Sequence, residues 1–159
     1  MTQSILSPDS GPNSVRWMGG KAGNLHHLSR NGIPVPPWFC ISAEMCQRYM
    51  RTISDKLNKT LNDIDYSDQE AVDTASASIK QTICNIPLSP EDSSALQKAV
   101  SDLGAERYAV RSSALAEDSS KDSFAGQLDT YLYVTPDDVE AKTKECWASG
   151  FGPRSLTYM

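Results

Sequence analysis

The sequence predicts an α+β domain in which several helices surround a small, mostly antiparallel sheet. Apolar residues recur at helical spacing in most segments between residues 20 and 150. Only two short segments, 108–111 and 128–134, concentrate the β-branched and aromatic residues that are typical of strands. A length of 159 residues and a hydrophobic fraction of 39% are sufficient for one domain with its own core.

The first predicted element is a helix over residues 20–30. Its apolar residues share one face, and Asn31-Gly32 is a typical helix end. The prolines that follow lack amide donors and restrict the residues before them, so residues 33–41 are expected to run extended.

The next helix is predicted to begin after Ser42, which is a favourable N-cap residue. Its apolar stripe consists of Cys46, Met50, Ile53 and Leu57. Residues 58–66 are polar and predict a loop.

Two further helices have recognisable start sequences. Ser67 opens a capping box, because Glu70 follows it three residues later. Ser89 precedes Pro90, which suits the first position of a helix that ends at Gly104. The predicted buried faces are Val72, Ala75, Ile79 and Ile83 in one helix and Leu96, Ala99, Val100 and Leu103 in the other.

The last third of the chain is predicted to contain both strands. One strand ends near Arg111 and the other covers residues 128–134. The small and polar residues 114–123 between them predict a mobile loop. Residues 135–138 then precede the last clear helix.

Composition argues against several classes of function. The net charge is −5 and the basic residues are not clustered, so nucleic acid is not an expected partner. No apolar run approaches the ~20 residues of a membrane helix. We therefore predict no membrane partner and a cytoplasmic protein, with a flexible tail over residues 1–14 and one domain over residues 15–159. The four cysteines contain no C-x-x-C pair, which predicts reduced thiols and no metal site.

The first candidate ligand-binding residue is Lys21, which follows Gly19 and Gly20 at the start of a predicted helix. A helix N-terminus attracts phosphate, and a lysine adds a mobile positive charge. The spacing is not that of a Walker A loop, because Ala22 stands where Ser or Thr is required. A glycine turn that leads into a helix with a solvent-facing lysine remains the alternative.

The second candidate is Arg111 with the serines that follow it, Ser112 and Ser113. An arginine at the end of a strand can hold phosphate oxygens in a fork, and hydroxyls can add hydrogen bonds. An arginine paired with a nearby carboxylate, beside two serines in a turn, is the alternative.

The third candidate is the segment 124–130. Gly126 permits close approach of the backbone to a ligand, and Thr130 is expected to share a strand face with it. A backbone amide and a hydroxyl could then meet the same ligand. A tight turn into an edge strand is the alternative.

These segments together resemble the N-terminal ATP-binding domain of the phosphoenolpyruvate synthase and pyruvate phosphate dikinase family, which the rifampicin phosphotransferases share. The resemblance covers roughly residues 15–158 and includes six motifs in the family's order. These motifs are GGKAGNL, GIPVPPWF, AVRSSA, AED, SFAGQLDTYL and CWAS.

The resemblance implies the first half of an ATP-grasp site. It implies that the ATP-binding residues are Lys21, Arg111, Gly126 and Thr130, with weaker contributions from Ser112, Ser113 and Gln127. It also implies Mg²⁺ as a cofactor, with ligands in a second half, and a phosphohistidine swivel domain as a partner. Neither lies in this segment, so it contains no catalytic residue, and His26 and His27 do not match the family's histidine motif.

The implied function is that of an ATP-binding segment of a phosphotransferase that passes phosphate to pyruvate or another small acceptor. The segment is expected to be truncated at its C-terminus, to bind ATP weakly and to be inactive alone. A short non-catalytic nucleotide-binding or regulatory module is the alternative. Two departures from the family pattern, Leu115 and Leu128, remove polar side chains from the expected phosphate region.

Overall fold

The computed structural model describes residues 3–113 and 129–158, and it confirms the α+β class. The helices in these residues are α1 (Gly19–Arg30), α2 (Ala43–Thr52), α3 (Ser54–Asn62), α4 (Gln69–Asn85), α5 (Pro90–Leu103), α6 (Val139–Ser149) and α7 (Pro153–Tyr158). The strands are β1 (Ile5–Leu6), β2 (Cys40–Ile41), β3 (Tyr108–Arg111) and β4 (Thr130–Val134). Short 3₁₀ helices cover Pro12–Trp17 and Pro136–Asp138.

The described strands form two separate antiparallel pairs rather than one sheet. β1 pairs with β2, and β3 pairs with β4. A β-bulge interrupts the second pair, because Leu132 and Tyr133 together lie opposite Ala109. Tyr133 adopts a φ of 57° at this bulge.

The N-terminal residues differ from the predicted flexible tail. Leu6 is only 1% exposed, and the amide of Ser42 donates to the carbonyl of Ser4 at 2.9 Å. A two-residue strand is too short to show alternation, so the sequence pattern did not reveal it. Residues 3–14 are therefore part of the folded body.

A small apolar cluster lies beneath the first turn of α1. Leu6 and Cys40 come from β1 and β2, and Met18 and Ala22 come from the start of α1. The partly buried rings of two tryptophans, Trp17 and Trp38, pack against it. The β1–β2 pair therefore fixes where α1 begins.

The main core is built around α4, which packs against α3, α6 and α7. The predicted buried face of α4 is confirmed in full, and Leu96 and Val100 are buried in α5. Ala99 and Leu103 are only partly buried, at the margin of that face.

Two predicted helix starts are confirmed and one is wrong. The hydroxyls of Ser42 and Ser89 accept hydrogen bonds from the amides three residues later, at 3.2 and 3.1 Å. The cap of α4 is Asp68 rather than Ser67, because the Asp68 carboxylate accepts from the amide of Glu70 at 3.0 Å. Ser67 hydrogen-bonds to Asp65 instead.

The predicted loop over residues 58–66 is partly wrong. Helix α3 continues to Asn62, and the single predicted helix before it is divided at Ile53. Leu57 is buried and Leu61 packs against the core, whereas the polar residues around them face solvent. The three polar residues between these two leucines gave the segment the composition of a loop.

A polar cluster joins the N-terminal segment to α2 and α5. The guanidinium of Arg48 donates to the carboxylate of Asp92 at 2.7 Å, and the hydroxyl of Ser4 donates to the same oxygen at 2.9 Å. Burial raises the pKa of Asp92, but the hydrogen bonds and charge of Arg48 and Ser4 outweigh it, so the pKa is lowered. The carboxylate also lies in the first turn of α5, where the helix dipole favours negative charge.

Asp92→Asn is expected to lower the free energy of unfolding near neutral pH by about 1.5 kcal/mol, because it removes a charge-assisted hydrogen bond between the buried Asp92 and the partly exposed Arg48. A lowered folded pKa stabilises the protein above the unfolded pKa of about 4, and this is lost as the pH falls through the folded pKa. Urea denaturation from neutral pH down to about pH 2 measures both effects, and the two proteins should converge in acid. The exposed Asp63→Asn is the control, and a wild-type difference that persists in acid would contradict the assignment.

Candidate functional site

Arg111 and Thr130 lie opposite each other where β3 ends and β4 begins. Directly paired residues of an antiparallel sheet project to the same face, so these two side chains share one side of the sheet. Both are exposed, whereas Tyr108 and Val134 at the other end of the pair are buried. The arginine and the threonine hydroxyl are therefore close together and open to a ligand.

The start of β4 is anchored on α6. The amide of Asp129 donates to the hydroxyl of Ser149 at 3.2 Å, and the thiol of Cys146 contacts the carbonyl of Asp129 at 3.5 Å. The hydroxyl of Tyr131 donates to the Asp129 carboxylate at 3.1 Å. Thr130 thus lies between two residues that the core holds in place.

The end of β3 is attached to the first turn of α1 by Ser113. Its hydroxyl donates to the carbonyl of Met18 at 2.6 Å and accepts from the amide of Ala22 at 2.9 Å. These groups are 95 and 91 residues away along the chain. Lys21 immediately precedes Ala22, and Arg111 lies two residues before Ser113, so both cations are within two residues of this attachment.

The contact between these segments depends on Gly19. Its φ is +72°, and a Cβ there would lie 1.6 Å from the carbonyl oxygen of Ser113. The two backbones therefore pack directly on each other without an intervening side chain. The Gly-Gly sequence predicted a turn, but it did not indicate which part of the chain would pack on it.

The structure brings Lys21, Arg111 and Thr130 to one junction, although no local pattern joins them. Lys21 is exposed in the first turn of α1, as the sequence predicted for the start of this helix. Gly126 and Gln127, the other predicted contacts in this region, lie outside the described residues, as do the predicted mobile loop, Leu115 and Leu128.

The two serines after Arg111 differ from each other. The Ser113 hydroxyl gives its proton to the Met18 carbonyl, so it cannot at the same time donate to a phosphate oxygen. In the structure this hydroxyl joins two segments, and a contact of Ser113 with phosphate stays a prediction. Ser112 is half-buried beside it, and its contact with phosphate stays a prediction.

Two titratable groups next to the junction are neutral near pH 7. Burial raises the pKa of Tyr131, and the charge and hydrogen bond of Asp129 raise it further, so the phenol remains a donor. Burial raises the pKa of the Cys40 thiol, which contacts the Met18 carbonyl, to about 12. Neither group therefore supplies a base or a thiolate nucleophile at the junction.

Other features of the described chain lie elsewhere. His26 is buried, and its Nε2 lies 2.9 Å from the carbonyl of Ser10, which is a structural contact. A surface groove of about 510 Å³ lies against α7, and another of about 380 Å³ lies between α2 and α3. Neither groove is lined by a residue of the junction.

No helix in residues 3–113 and 129–158 is long and apolar enough to cross a bilayer.

Comparison with protein families identifies this domain. The family model of the pyruvate phosphate dikinase AMP/ATP-binding domain matches residues 15–159. The chain belongs to this family. The resemblance inferred from the six sequence motifs is thereby confirmed.

Relatives of this AMP/ATP-binding domain carry several names. The chain is 40% identical to a probable phosphoenolpyruvate synthase of Staphylothermus marinus over 91% of its length and 19% of the relative's. It is 40% identical to a rifampicin phosphotransferase of a Streptomyces species over 89% of its length and 17% of the relative's. It is 39% identical to the prodigiosin synthesizing transferase PigC of Serratia marcescens, again over 89% of its length and 15% of the relative's. The chain thus spans about a fifth or less of these curated relatives.

Proposed function

We propose that this domain binds the polyphosphate of ATP at the junction of α1, β3 and β4, as the nucleotide-binding part of a phosphotransferase. The observation that carries the proposal is the attachment of the β3 end to the first turn of α1, opposite the start of β4. Membership of an AMP/ATP-binding family supports adenine nucleotide as the ligand.

Each residue of the junction supplies what a polyphosphate requires. Arg111 presents a planar fork of donors, which suits two oxygens of one phosphate group. Lys21 adds a compact charge beside the N-terminus of α1, where the helix dipole favours anions. Thr130 adds a hydroxyl on the same sheet face as Arg111. In the proposal, Gly126 and Gln127 contribute from the segment between β3 and β4.

The remaining requirements of phosphoryl transfer lie outside the junction. In residues 3–113 and 129–158 no group of three His, Cys, Asp or Glu side chains could hold a metal ion. In the proposal, the Mg²⁺ ligands belong to the second half of the ATP site, as the resemblance in sequence implies. We also propose that the phosphate passes through a phosphohistidine domain, as the resemblance in sequence implies, to pyruvate or another small acceptor. The names of the relatives support a phosphotransferase and say nothing of the carrier domain. Positioning and charge neutralisation are then the contribution of this domain.

Titration of the 159-residue chain with ATP, followed by ¹⁵N-¹H NMR, tests the proposal. We expect saturable shifts in the amides of residues 19–22 and 111–113, with a dissociation constant of about 1 mM because the contacts are exposed. Arg111→Ala and Lys21→Ala should each raise this constant about tenfold, since each removes a charge-assisted hydrogen bond.

Arg107→Ala is the matched control, because Arg107 is an exposed arginine that precedes β3, at the other end of the same strand. It should leave the dissociation constant within about twofold of the wild-type value. A parallel titration with adenosine should show no difference between Arg111→Ala and wild type, because adenosine has no phosphate. If Arg107→Ala and Arg111→Ala weaken ATP binding equally, the phosphate contacts have been assigned to the wrong residues.

A further inference from the structure

The Ser113 hydroxyl is inserted into a backbone hydrogen bond of the first turn of α1. In a regular α-helix the amide of residue i+4 donates directly to the carbonyl of residue i. Here the amide of Ala22 donates to Ser113, and Ser113 donates to the carbonyl of Met18, four residues before Ala22. A side chain from the end of β3 therefore links the two groups that would otherwise form the first hydrogen bond of α1.

This arrangement fixes the distance between the end of β3 and the first turn of α1 in two ways. The hydroxyl must lie within hydrogen-bond distance of both Met18 and Ala22, which leaves it little freedom. The Ser113 carbonyl lies directly against Gly19, which prevents closer approach. Met18 and Ala22 belong to the small apolar cluster with Leu6 and Cys40, and this packing holds the first turn of α1 in place.

We propose that Ser113 is a positioning residue that sets the distance and orientation between Lys21 and Arg111. Lys21 lies one residue before Ala22, and Arg111 lies two residues before Ser113. A change in the attachment therefore moves the two cations relative to each other. Two cations that are held in place bind a polyphosphate more tightly than the same two on independently moving segments, because less freedom is lost on binding. This inference rests on the proposed ATP site, since it assigns Ser113 a role in building that site.

The test compares Ser113→Ala with Ser113→Thr, which retains a hydroxyl, in the 159-residue chain. Ser113→Ala should raise the dissociation constant of ATP about fivefold or more, and Ser113→Thr should restore most of the affinity. Hydrogen exchange of the Ala22 amide gives a readout that does not involve ATP. Exchange should differ from the wild-type rate in Ser113→Ala and return towards it in Ser113→Thr, because the threonine hydroxyl can accept the same hydrogen bond.

Ser76→Ala is the matched control. The Ser76 hydroxyl also joins distant segments, by donating to the carbonyl of Phe151 at 2.7 Å, and Ser76 is more buried than Ser113. Its loss should lower the thermal stability of the chain without changing the ATP dissociation constant. A positioning role therefore predicts a difference between the two alanine variants that a merely stabilising role does not.

The possible results separate this inference from the proposed function. If wild type binds ATP in an Arg111-dependent manner but Ser113→Ala binds as tightly as Ser76→Ala, Ser113 is not a positioning residue and the ATP site stands. If wild type shows no Arg111-dependent binding of ATP, both proposals are overturned. If Ser113→Ala does not fold, Ser113→Thr decides, because ATP affinity near the wild-type value supports the inference and a fivefold loss in a folded Ser113→Thr contradicts it.

Discussion

Gly19→Ala is expected to lower the free energy of unfolding by about 3 kcal/mol, which combines a conformational and a steric cost. The φ of +72° belongs to the left-handed region, where a side chain costs about 1–2 kcal/mol. The added Cβ would also lie 1.6 Å from the backbone oxygen of Ser113, and backbone cannot rotate away as a flexible side chain can. The end of β3 must then move off α1.

Two other glycines, one within α1 and one just after its C-terminal end, separate the conformational cost from the steric cost. Gly32 has nearly the same φ, +71°, but no heavy atom would lie within 4 Å of its Cβ, so Gly32→Ala should cost only the conformational part, about 1 kcal/mol. Gly23 lies within α1 and would meet only the Val15 side chain, at 3.7 Å, so Gly23→Ala should stabilise the chain by about 0.5–1 kcal/mol. Urea denaturation of the three variants measures all of these values. An equal loss in Gly19→Ala and Gly32→Ala would show that β3 does not pack on α1 as described.

The helices show which features of the fold local sequence patterns predict and which they miss. Sequence periodicity correctly predicted α1, α4 and α5, because each has apolar residues at helical spacing and a clear end within one stretch of chain. The same reasoning placed a loop over residues 58–66, where α3 continues to Asn62, since Leu61 alone is too little to indicate a helix after Leu57. It also assigned the cap of α4 to Ser67, although the neighbouring Asp68 offers a stronger acceptor.

In the candidate site, too, the sequence reveals the local residue types but not the contacts between distant segments. The prediction that Lys21, Arg111 and Thr130 bind phosphate rests on residue types and motifs, because phosphate favours cations, small residues and hydroxyls. Their meeting point could not be read, since the attachment of Ser113 to Met18 and Ala22 joins positions more than 90 residues apart. The role of Gly19 was equally hidden, because a glycine turn alone does not reveal its tertiary contact.

Ile83→Ala is expected to cost about 4 kcal/mol, within the usual range for a large-to-small change in a packed core. Ile83 is 0% exposed on the central helix α4, and the hydroxyl of Tyr49 donates to its carbonyl. The loss should exceed the transfer energy of the deleted methyl and methylene groups, because the surrounding helices cannot close the cavity fully.

Ile33→Ala gives the matched control, since the same substitution is made at an isoleucine that is 48% exposed and should change stability by less than about 0.5 kcal/mol. Guanidinium denaturation measures both variants. Helix α4 packs against α6, and α6 holds Asp129 at the start of β4 through Ser149. A folded Ile83→Ala should therefore also show faster hydrogen exchange at the Asp129 amide, whereas Ile33→Ala should not. If Ile83→Ala lowers stability while exchange at Asp129 is unchanged, the site is held independently of the core, and the anchoring of β4 through α6 is incorrect.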